Sequence, residues 1–188
     1  MINMEDEYNK LCDEINQNAQ INANIYLANI TVTAILLGYA IKDNPIWFMF
    51  LSPFSIIIPS ILLISSYVSS TIRIGTYIKV FIEPMNTELN WESRLQSLRS
   101  KNFMKSKNSS FSRSVSFLFI LLGSFCLILS FIYAYKNHQI NQITVVTILV
   151  VASLFVYGYY NLTVVSSRKY ILDYLEAWKK IKDKETQE

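Results

Sequence analysis

Five asparagines, Asn16, Asn18, Asn22, Asn24 and Asn29, carry a polar segment into a run of hydrocarbon side chains, INQNAQINANIYLANITVTAILLGY from Ile15 to Tyr39. Read as a helix, Ile15, Asn18 or Ala19, Asn22, Ile25 or Tyr26, Asn29, and Val32 or Thr33 recur at close to seven-residue intervals. An amide at such a contact position fixes register and oligomeric state at some cost in stability. Facing lipid without a partner it costs several kcal/mol, roughly 2–7, so Asn29 should face protein or water. Two roles fit. Around an axis shared by four or more copies, Asn22, Asn29 and Thr33 would form a weakly polar, uncharged pore wall. Between packed helices the same amides would only hydrogen-bond, leaving a non-conducting membrane anchor or adaptor that recruits a cytoplasmic partner.

Glu5, Asp6, Glu7, Asp13 and Glu14 precede this stripe. Repeated around an axis, Glu7, Asp13 and Glu14 would ring a cytoplasmic mouth that attracts cations or holds a basic plug. Downstream, Arg94, Arg99, Lys101, Lys105 and Lys107 surround Trp91 and Phe103. Such a group either holds a loop near anionic lipid, at about 1 kcal/mol per basic residue, or grips an oligonucleotide or cyclic nucleotide with an aromatic ring for stacking. Arg94, Arg99 and Lys101 are the candidates for ligand or partner contact.

Enzymatic chemistry finds no foothold. His138 is the one histidine, so an imidazole metal site or a triad has no second member to recruit. The four glycines, Gly38, Gly75, Gly123 and Gly158, are scattered singly and form no phosphate loop. Cys12 and Cys126 make no disulfide or metal framework. No cofactor and no enzymatic activity are expected.

These side chains must be positioned by membrane helices. Of 188 residues 52% are hydrophobic and 16% charged, against roughly 25% charged in a soluble domain. Charge-free runs cover 15–41, 44–72, 114–135 and 139–167, each long enough for the about 20 residues that cross a bilayer. Their centres hold no ionisable residue of the kind an ion relay uses. The expected fold is all-α and polytopic, with four transmembrane helices. The acidic residues before the first run fit no cleavable signal peptide.

Lys and Arg near membrane ends stay on the cytoplasmic side, and the connection between the second and third runs is the basic one. Both termini then lie in the cytoplasm, with the short connections around Lys42 and Lys136 outside. The expected segments are a cytoplasmic acidic helical extension over 1–24, two spans within 25–72, a basic helical insert over 73–113, two more spans within 114–165, and an amphipathic cytoplasmic tail over 166–188. With no Pro or Gly before Gly38, one helix should run from about Glu5 to Tyr39, with Tyr8, Leu11, Ile15, Ala19 and Asn22 as its contact face. Pro53 and Pro59 should bend the second span, with Ser52, Ser55 or Ser60 compensating. The helix of this span should run on, or bend at Gly75, until Pro84. Trp91, Leu95 and Leu98 suit a short amphipathic helix, and Tyr170, Ile171, Tyr174, Leu175 and Trp178 form one face of the tail.

The phrase RIGTYIKVFIEPMNTELNWE, from Arg73 to Glu92, together with the four-span layout, resembles small bacterial membrane proteins encoded beside nucleotidyltransferase-like genes in antiphage defence loci. The membrane effectors of the Hailong system are the family it looks most like. The resemblance picks out Tyr77, Glu83, Trp91 and Glu92 as family-like positions and gives none of them a role. It implies a homo-oligomeric ion channel in the bacterial inner membrane, with a tetramer as the working guess. It also implies regulation by an oligonucleotide from the partner enzyme, and depolarisation that arrests infected cells in an abortive response.

Overall fold

The computed structural model describes residues 4–42, 46–85, 93, 110–165 and 167–186. Helix α1 spans Met4–Lys42, α2 Phe54–Tyr77, α3 Ser110–Lys136, α4 Gln142–Val165 and α5 Arg168–Glu185. A 3₁₀ turn, Trp47–Leu51, precedes α2, and a π-helical segment, Ile78–Ile82, continues it. Among the described residues four stretches are long and apolar enough to cross a membrane: Glu5–Lys42, Trp47–Ile82, Phe117–Lys136 and Gln142–Val165. The fold is all-α, and the chain is a multi-spanning membrane protein.

The 39 residues of α1 form one uninterrupted helix, as the lack of early Pro and Gly requires. The second span departs from expectation at its start. Pro53 lies immediately before α2 and not inside it; its carbonyl accepts the first helical bond from the Ile57 N–H at 3.0 Å. Its missing N–H would be unpaired at a helix start in any case, so it begins the helix without bending it. Ser52 and Ser55 donate their hydroxyls at 2.7 Å to Met49 O and Ser52 O, closing the turns around it. Pro59 alone falls within α2. The helix runs through Gly75 unbroken and passes into the π segment, after which Pro84 stands in a turn. Helix α3 starts at Ser110, so it takes Arg113 into its first turn.

The chain divides into two compact units, Met1–Asn22 with Ser65–Ser110 and Thr163–Glu188, and Ala23–Ile64 with Phe111–Leu162. In the second, α2 buries Phe54, Ile57, Ile61 and Ile64, at helical spacing. Helix α3 buries Phe119, Gly123, Cys126, Ser130 and Ala134, a mostly small-residue stripe that lets neighbours approach closely. Phe54 meets Phe155 of α4 edge to face at 5.5 Å, Phe50 stacks on Tyr133 at 4.6 Å, and Tyr26 of α1 lies 5.3 Å from Phe119. The α3–α4 turn carries His138 at φ 52°, and Asn141 Oδ1 caps α4 by accepting the Thr144 N–H at 2.8 Å. The other faces of α3 and α4 expose Phe117, Phe125, Ile128, Ile143, Leu149 and Val156, which suits contact with lipid.

In the first unit, Ile74, Ile78 and Ile82 form the core, with Tyr8, Leu11, Ile15 and Tyr77 packed against it. The contact face of α1 thus begins as its spacing predicts, then runs through Asn18 and not Ala19, which is exposed. The predicted apolar face of the tail is the covered face of α5, with Leu175 buried and Trp178 packed on Tyr77 and Phe81 at 5.4 and 6.0 Å.

Candidate functional site

The polar face of α1 is the candidate site. Asn29 and Thr33 are 2% and 1% exposed in the single chain. Within the chain its own neighbouring helices cover them, so they are turned from lipid. Burial within one protomer and burial between protomers impose the same periodicity on a helix.

Asn29 Nδ2 donates to Ile25 O at 2.8 Å, whereas Asn29 Oδ1 is buried with no hydrogen-bond partner among the described residues. Helical N–H groups are already committed to helical carbonyls, so α1 has no donor to offer a mid-helix amide oxygen. In the first unit, Asn18 is 7% exposed. Asn18 Nδ2 and Asn22 Oδ1 are likewise buried without partners among the described residues.

The acidic residues separate. Glu7 is half-buried and accepts a hydrogen bond from the Tyr77 hydroxyl at 3.0 Å, while Asp13 and Glu14 are exposed. Glu7 is therefore engaged in packing α1 against the end of α2. Of the family-like residues, Tyr77 makes this bond and Glu83 is buried, its carboxylate accepting the Ser93 N–H at 3.0 and 3.1 Å and the Ser93 hydroxyl. Trp91, Glu92, Arg94, Arg99 and Lys101, and the expected helix around Leu95 and Leu98, lie outside the described residues.

Sequence spacing misses two groups that the fold assembles. Lys182 Nζ donates to Val80 O at 2.8 Å and stands 5.9 Å from the Phe81 ring centroid. A π segment shifts its hydrogen bonds by one residue, and Lys182 serves a carbonyl there. The second group joins Ser69 and Tyr170, 101 positions apart, through hydroxyls at 2.7 Å. The only local signals were the four-residue spacings of Trp178 to Lys182 and of Tyr170 to Tyr174. Among the described residues no three His, Cys, Asp or Glu side chains gather as a metal site would require. Comparison of the chain with protein-family models, curated proteins and solved structures gives no match.

Proposed function

We propose that the protein is a regulated ion channel and that this conformation is its closed state, with Asn29 and Thr33 sequestered by neighbouring helices of their own protomer. The observation that carries this reading is the buried, unpartnered Asn29 Oδ1 inside an apolar span. Leaving such an acceptor unsatisfied costs about 1–3 kcal/mol. That cost favours any rearrangement of α1 that exposes the amide to water, which is also the rearrangement that opens a polar path. An inert anchor has one use for an amide at this position, fixing helix register, and that use calls for a partnered oxygen.

The wider proposal follows the family resemblance and the loop charges. The protein acts as a homo-oligomer, a tetramer in the working form, in the bacterial inner membrane with both termini cytoplasmic. An oligonucleotide from a nucleotidyltransferase partner binds near Arg94, Arg99 and Lys101 and sets the gate, and depolarisation then halts an infected cell in antiphage defence. The second reading, a non-conducting anchor or adaptor, is favoured by the near-complete cover of Thr33.

Ion flux into liposomes separates the two. The parent should conduct once short DNA or RNA oligomers are added or withdrawn, and Asn29→Leu should assemble equally well and conduct less. Flux absent under every such condition refutes the channel reading, and flux unchanged in Asn29→Leu refutes the place given to Asn29 in the conduction path. The mass of the detergent-solubilised particle tests the tetramer.

A further inference from the structure

Ser69, Arg73, Tyr170 and Tyr174 form a cluster in the first unit that ion conduction leaves unused. Ser69 and Arg73 stand one turn apart on α2, and Tyr170 and Tyr174 one turn apart on α5. Ser69 Oγ and Tyr170 OH are 2.7 Å apart, Tyr170 OH and Tyr174 OH are 3.5 Å apart, and the two phenol rings meet edge to face at 5.1 Å.

Proton counting shows what the cluster needs. Three hydroxyls bring three O–H donors. Two oxygen-to-oxygen contacts use at most two of them, and the 3.5 Å contact is long for such a bond. At least one donor is left pointing away from the other two oxygens. Arg73 is exposed, and its guanidinium has no hydrogen bond or ion pair among the described residues. The hydrogen bond from Tyr170, helped by the positive charge of Arg73, holds the Tyr174 phenol below its ordinary range. Lys169 is exposed one residue before Tyr170, and the nearest acids on α5, Asp173 and Glu176, are exposed as well. Among the described residues the cluster is rich in donors and positive charge and has no anionic acceptor.

Its depth identifies the acceptor. The charge-free run 44–72 ends at Arg73, and the run 139–167 ends at Arg168. The Ser69–Tyr170 bond ties these two ends together, so the cluster lies where hydrocarbon gives way to headgroups. We propose that Ser69, Arg73, Tyr170 and Tyr174 form a binding site for a phosphoryl group, supplied by the phosphodiester of an anionic membrane lipid. Arg offers forked donors suited to phosphate oxygens, and a phenol O–H adds a charge-assisted bond. The site does not depend on conduction, and either proposal stands if the other fails.

The test uses the full chain in detergent, with thermal unfolding and native mass spectrometry in the presence of phosphatidylglycerol, of diacylglycerol lacking the phosphate, or of inorganic phosphate. Phosphatidylglycerol should raise the unfolding midpoint and remain bound, and diacylglycerol should do neither. Arg73→Gln and Tyr174→Phe should each weaken phosphatidylglycerol binding by about tenfold. Tyr174→Phe keeps the ring that packs on Tyr170, so it tests the hydroxyl even if Arg73→Gln fails to fold. Protection by inorganic phosphate equal to that by the lipid keeps the phosphoryl site and overturns the lipid assignment. Absent protection, or lipid binding equal in the parent and Tyr174→Phe, overturns the site.

Discussion

Replacing Gly123 with Ala gives a sharp test of the packing in the second unit. A Cβ at Gly123 would lie 2.5 Å from Phe155 Cζ and 2.9 Å from each Cε. Carbon atoms in contact settle at about 3.5–4.0 Å, so the ring tip must withdraw by about 1 Å. Phe155 is buried and held edge to face against Phe54, so the withdrawal disturbs α2 as well. Overpacking of this kind costs about 1–3 kcal/mol, and Ala in place of a helical Gly returns up to about 1 kcal/mol. The expected net loss is about 1–2 kcal/mol. At Gly158 the added Cβ would find Ile61 Cγ2 at 3.5 Å, an ordinary contact, and at Gly38 it would find nothing within 4 Å. Those two substitutions should be neutral or stabilising. Phe155→Leu shortens the offending ring, so it should cost less in the Gly123→Ala background than alone. Reversible unfolding in mixed micelles, followed by circular dichroism, measures all four single variants and the double. Additivity of Gly123→Ala and Phe155→Leu within about 0.5 kcal/mol, or a stabilising Gly123→Ala, would refute the contact.

Other perturbations probe the remaining contacts. Glu83→Ala removes a buried acceptor from Ser93 and should lower stability by about 1.5–3 kcal/mol, with Glu83→Gln milder because one carbonyl oxygen remains; thermal unfolding reads both. Lys182→Ala removes the donor to Val80 O and the charge over Phe81, so in a background lacking Trp47 and Trp91 the emission of Trp178 should shift to the red; an unshifted spectrum means that Lys182 does not hold α5 to the π segment. Cys126 is fully buried and Cys12 half-buried, so a maleimide should label Cys12 in the folded protein and Cys126 only after denaturation.

Much of the architecture is legible in one dimension because lipid imposes a one-dimensional rule, a long run without charge. The single helix α1, its contact residues Tyr8, Leu11 and Ile15, and the covered face of α5 are all matters of spacing within one element. What spacing leaves open is the identity of the partner. The periodicity of Asn29 and Thr33 marks a side turned from lipid, and it is equally satisfied by a sister helix or by the chain's own. Pro53 misleads for a related reason: the same residue bends a helix from inside and begins one from its edge, and only the boundary at Phe54 distinguishes them. The Ser69–Tyr170 bond spans 101 positions, and no local pattern encodes it.

The polar residues within the spans also differ in what they demand. Thr31, Thr147 and Ser153 each donate a hydroxyl to a carbonyl four residues earlier, at 2.8–2.9 Å. A hydroxyl that donates in this way has placed its only proton, so such residues can face lipid at little cost. An amide cannot be satisfied so simply. Asn161 and Asn29 both donate Nδ2 to the carbonyl four residues earlier, yet each keeps an oxygen that needs a donor from elsewhere. Asn161 stands four residues from the end of α4 at Val165, close to the headgroups and their water. Asn29 stands near the middle of the run 15–41, and its oxygen is buried. Helix α1 has no spare N–H at that depth, so the missing donor must come from water, another helix or another copy. On the channel reading proposed above, this amide, rather than the more numerous hydroxyls, is where a gating motion should be sought.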